Sequence, residues 1–140
     1  MKLLLTLLAL LGMSQPVIAP VEDRYAVGQI WEYRNLPRDA GSLLKIQAIE
    51  TDPVGGTIYH ISVTGLKIEA GGGVLQEIGH LPVSKQTLDA SVTRLSPLTP
   101  DFPDAAPGIA DWRKANGGVF TISVAEIVGV IEQSLRQNSG

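Results

Sequence analysis

His60 and His80 are the only histidines in the 140-residue chain, and cysteine is absent. Together these two facts narrow the available chemistry. Without a thiol there is no thiol nucleophile, no disulfide framework, no cysteine-based zinc site and no lipoprotein anchor. His80 falls between Gly79 and Leu81-Pro82, at what reads as a loop leading into a helix. Loops held by a rigid scaffold are where functional groups concentrate. Paired with a carboxylate from the Asp101–Asp104 loop, above all Asp104, His80 would act as the general base of a small hydrolase or metal-dependent enzyme. His60 sits beside Ser62 and Thr64 on the outward side of a strand pattern, which reads as a surface position. Two histidines with no metal-spaced carboxylate form no recognisable metal site, and no cofactor is expected.

Other chemistry-bearing residues have simpler explanations. Ser84 lacks the flanking glycines and strand-to-helix strain of a nucleophile elbow, and reads instead as a helix N-cap. Gly71-Gly72-Gly73 has no following Lys-Ser/Thr and no helix start, so it is a loop and not a phosphate cradle. Asp101, Asp104 and Asp111 do not alternate as a calcium loop does, and Asp104 is placed to cap a helix. Trp31 and Tyr33, with His60, would form a binding surface if the sheet face that carries them were open, since aromatics are enriched at interface cores.

The elements that must position these residues begin with three strands. Trp31 and Tyr33 share one face of the first, from Gln29 to Arg34. Leu44, Ile46 and Ala48 share one face of the second, and Tyr59, Ile61 and Val63 one face of the third. The separators around Pro37–Ser42 and Asp52–Gly56 are too short for parallel crossovers, so the strands form an antiparallel meander. The segment Val74–Ile78 is a candidate fourth strand beyond the glycine loop.

The rest reads as helices. Val83 and Ser84 supply a staple and cap for a helix carrying Leu88, Val92 and Leu95, which Pro97 ends. A second, short helix runs from Asp104 to Asn116, with Ile109 and Trp112 inward and Gly117-Gly118 as its stop. After a short strand at Val119–Ile122, Ser123 and Glu126 form a capping box, and Ile122 is placed to staple to Ile127. The C-terminal helix that follows carries Val124, Ile127, Val128, Ile131 and Leu135 on one stripe. The expected class is α+β: an antiparallel meander of four to five strands, packed on one face by two to three helices including the C-terminal one.

Residues 1–19 have the layout of a secretory signal peptide. Lys2 is followed by the apolar Leu3–Leu11 run, a break at Gly12–Pro16 and a small-residue site at Val17-Ile18-Ala19. Cleavage falls after Ser14 or after Ala19; the second cut would sever a bond to Pro20. Residues 20–140 then form one domain, opening on a polar lead-in from Pro20 to Ala26 that is expected to be extended and poorly ordered. Only Lys2 among the charges lies in the leader, so the remainder carries 10 basic and 14 acidic residues, a net charge of −4. An acidic domain with no Lys/Arg cluster is a poor nucleic-acid binder, and it meets a membrane only if the leader is retained as an anchor. The absence of cysteine and of Asn-x-Ser/Thr favours export to a bacterial periplasm. The resulting expectation is a non-catalytic, extracytoplasmic protein-binding module of inhibitor or immunity type, with a protein partner in the cell envelope. The alternative is the His80-based enzyme.

Overall fold

The computed structural model describes residues 24–54 and 56–139; the leader and its cleavage site lie outside them. Five strands form one antiparallel sheet: β1 (Ile30–Tyr33), β2 (Leu43–Thr51), β3 (Thr57–Ala70), β4 (Gly73–Ser84) and β5 (Val92–Leu95). Their spatial order is β4-β3-β2-β1-β5. Among the described residues three α-helices accompany them: α1 (Lys85–Ser91), α2 (Ala106–Lys114) and α3 (Val124–Ser139). The class is α+β, with the C-terminal helix in place.

The meander extends further than the alternation suggests. β3 continues through Leu66 and Ile68, both buried, and β4 begins at Gly73, so the two strands form a long hairpin. Its turn is Gly71-Gly72, with φ of 41° and 93°, a pair of left-handed conformations that glycine adopts without steric cost. β4 absorbs the Gly79–Pro82 stretch that had read as a loop.

α1 starts as expected: the Ser84 side chain accepts from the Thr87 N–H, and Val83 and Leu88 are both fully buried. It ends at Ser91, however, and Val92–Leu95 pairs as a strand with β1 instead of continuing the helix. Val92 and Thr93 are β-branched, and the free edge of β1 offers backbone partners that a further helical turn would leave unpaired.

The capping box at α3 forms: Glu126 accepts from the Ser123 N–H, and the Ser123 hydroxyl accepts from the Glu126 N–H. Ile122, the residue placed for the staple, is 38% exposed, while Ile127 is fully buried. Val124, Ile127 and Val128 enter the core with Leu44, Ile46, Ile61, Val63 and Leu88. The Ser91 hydroxyl accepts from the Val124 N–H and ties the end of α1 to the start of α3. The expected strand at Val119–Ile122 reduces to one parallel bridge, Phe120 to Val83.

The lead-in is built into this core at its end. Tyr25 is buried edge-on to Trp31 and Tyr59, and its hydroxyl donates to Asp89 of α1 at 2.6 Å. Among the described residues, no helix is long and apolar enough to cross a membrane.

Leu88→Ala should cost about 2–5 kcal/mol in urea unfolding, because its site is fully enclosed. Gly129, inside α3, has open space where a Cβ would stand. Gly129→Ala should therefore raise stability by about 0.5–1 kcal/mol in the same measurement.

Candidate functional site

Two irregularities in the sheet assemble the site. The register between β2 and β3 shifts between Ile46 and Ala48, where Gln47 is the extra residue. Uninterrupted alternation would send Ile46, Ala48 and Glu50 to one face. After the shift Ile49 pairs with Tyr59 on the core side, and Glu50 pairs with Ile58 on the side of His60. A second shift, between β3 and β4, sets Gly79 and His80 against the single residue Ser62. It brings the His80 ring beside that of His60.

The result is a chain of hydrogen bonds. His80 Nε2 lies 2.8 Å from His60 Nδ1, and His60 Nε2 lies 2.5 Å from Glu50 Oε2. Arg113 grips Glu50 with both terminal nitrogens, at 3.1 and 3.0 Å. The His60 and His80 ring planes lie 28° from parallel with centroids 5.0 Å apart, and the Trp112 indole meets His60 edge-on at 4.8 Å. The Trp112 indole N–H donates to the Gly118 carbonyl at 2.9 Å. His60 is fully buried. Burial would raise the Glu50 carboxyl, but hydrogen bonds from His60 and Arg113 outweigh that and hold it below its ordinary value. Burial, then the neighbouring His60, pushes the His80 imidazole below its ordinary value.

α2 closes over the His80 ring because Gly108 allows close approach, and Gly117, just past its end, leaves room for the helix's own Trp112 indole. A Cβ on Gly108 would lie 2.4 Å from the His80 Cβ, and one on Gly117 would lie 2.2 Å from Trp112 Cδ1. The helix ends in a Schellman motif, with Gly117 N–H bonded to the Trp112 carbonyl and Asn116 N–H to that of Arg113. Asn116, with φ of 51°, takes the left-handed position instead of the glycines that follow it. The segment before α2 is pinned by Gln47, whose side-chain amide donates to Ser62 Oγ and to the Pro103 carbonyl.

His60, read as a surface residue, thus lies beneath α2. Trp31 and Tyr33 are also buried and present no aromatic platform: Trp31 donates to Gln29, and Tyr33 bonds Ser42. Their face is the one covered by α1 and α3, while α2 covers part of the other. Asp104 is not joined to His80; its carboxylate accepts from the Ala106 N–H at the start of α2. Glu50, Trp112 and Arg113 were not singled out from the sequence as site residues. Gly79, an isolated glycine within a strand, is the one local signal of a bulge here.

A cleft of about 590 Å³ opens beside the cluster, lined by Glu50, Asp52, Ile58, Trp112, Arg113 and Val119 among others. A second, of about 440 Å³, shares Trp112, Gly118 and Val119 with it and adds Pro82 and Phe120. Among the described residues, no three His, Asp or Glu side chains are grouped to hold a metal ion. No family model matches the chain, and neither the curated proteins nor the solved structures contain a significant match.

Gly108→Ala and Gly117→Ala should each cost about 1–3 kcal/mol by overpacking, read by urea unfolding. Gly118→Ala, with open space at its Cβ, should stay within about 0.5 kcal/mol of the parent.

Proposed function

We propose that this chain is a non-catalytic, exported protein-binding module that engages an envelope partner through the paired clefts around Trp112. The observation that carries this reading is the clefts themselves. They set the half-buried Trp112 and the exposed Arg113 side by side over an apolar lining of Ile58, Val119 and Phe120. Trp and Arg are the side chains most enriched among residues that dominate binding energy. A partner segment would lay an apolar side chain against Trp112 and direct polar groups to Asp52 and the rim of the Arg113–Glu50 pair. The hydrogen-bonding groups beneath are already engaged. Both His60 nitrogens have partners, and the Ser62 hydroxyl donates to the Gly79 carbonyl at 2.6 Å.

A photo-crosslinking residue placed at Val119 or Asn116 of the full chain, in envelope extract, should yield one stoichiometric protein adduct. The same residue at Thr93, on β5, should yield none. Absence of an adduct from the cleft positions, or equal labelling from Thr93, counts against the reading.

A second reading is a hydrolase with His80 as base, favoured by the His80–His60–Glu50 chain, which has the order of a proton relay. It requires turnover of chromogenic ester or amide substrates that His80→Gln abolishes. Equal rates in the two proteins remove it.

A further inference from the structure

The facing nitrogens of His60 and His80 hold one proton between them, and the geometry limits how much charge the pair can carry. Glu50 accepts from His60 Nε2, so that nitrogen bears a proton. One positive charge fits with every hydrogen bond intact: protons on His60 Nε2, between the rings, and on His80 Nδ1. A second charge requires N–H groups on both His60 Nδ1 and His80 Nε2, which are 2.8 Å apart. That contact is repulsive, and the rings must separate.

α2 rests directly on these rings, through Gly108 on His80 and Trp112 on His60. We propose that the His60–His80 pair is an acid-released latch: uptake of the second charge parts the rings and lifts α2 from the sheet. The Pro103 carbonyl, held by the non-titrating Gln47, stays as the hinge. The opening would dismantle the clefts around Trp112, but it does not depend on their having an occupant.

Besides Glu50, the sheet face that carries the pair bears Lys45, opposite Ser62, and Glu77, opposite Thr64. Glu50 from β2 meets His60, and Arg113 from α2 meets Glu50. Asp101, Asp104, Asp111 and Lys114, the other charged groups of the segment over this face, are exposed. Burial first, and the neighbouring His60 second, hold the His80 imidazole down. Because the closed form holds His80 below its ordinary 6.5, the opened form binds the additional proton. The latch is therefore at full strength above pH 6.5 and weakens as pH falls below it.

Hydrogen exchange of the full chain, corrected for the intrinsic pH dependence, tests this. Below about pH 6.5, exchange of residues 106–118 should accelerate as pH falls, by up to roughly tenfold per pH unit while the second proton is being taken up. α1 and α3 should keep their protection. In His80→Gln, whose amide can donate to His60 Nδ1 but takes no proton, that slope should vanish. Flat protection of α2 in the parent overturns the proposal, and so does parallel loss of protection in all three helices. An undiminished slope in His80→Gln also overturns it. If that variant does not fold, the parent comparison decides by itself.

Discussion

A histidine with no solvent exposure in the middle of a strand imposes a condition on everything around it. Both ring nitrogens of His60 must find partners inside the protein, because an unmatched buried polar group costs on the order of 1–3 kcal/mol. Glu50 and His80 meet that condition, and each then creates another. Glu50 is a partly buried carboxylate that needs a counter-charge, which Arg113 supplies from α2. The His80 ring is partly withdrawn from water and is covered by the same helix. The position of α2 therefore follows from the hydrogen-bonding needs of one side chain on β3.

The two faces of the sheet are built on different physics. Tyr59, Ile61 and Val63 face a conventional apolar layer with Leu44, Leu88, Val124, Ile127 and Val128. Such a layer is non-directional and tolerates volume-conserving exchange. On the opposite face His60, Ser62, Gln47 and Glu50 form a polar layer in which geometry decides whether the contact is favourable at all. A half-satisfied network would be worse than an apolar one. The close approach of Gly108 to His80 allows this polar layer to be sealed by a nine-residue helix with no fully buried side chain of its own.

Regular segments were the legible part of the chain. Alternation at Trp31/Tyr33 and at Tyr59/Ile61/Val63 marks two strands, though not which face of the first is buried, and the Ser123–Glu126 box marks the start of α3. These signals are local, and the physics behind them acts within a few residues. Breaks in the pattern were harder to read. Ile46, Ala48 and Glu50 keep step in the sequence, yet the bulge at Gln47 separates Ile46 from the other two. Val92 and Leu95 fall at helical spacing from Leu88 but form a strand, because an open edge of β1 was waiting for them.

The sequence by itself therefore determined the α+β class, the meander and the capped amphipathic helix at the end. Each follows from the period of its apolar residues and from nearby caps and turns. Only the tertiary structure decided that His60 is buried and joined to His80, Glu50 and Arg113. Those residues lie 10 to 53 positions from His60, and no local period relates them. They meet because two one-residue register shifts turn Glu50 and His80 toward His60, and because α2 folds back over them.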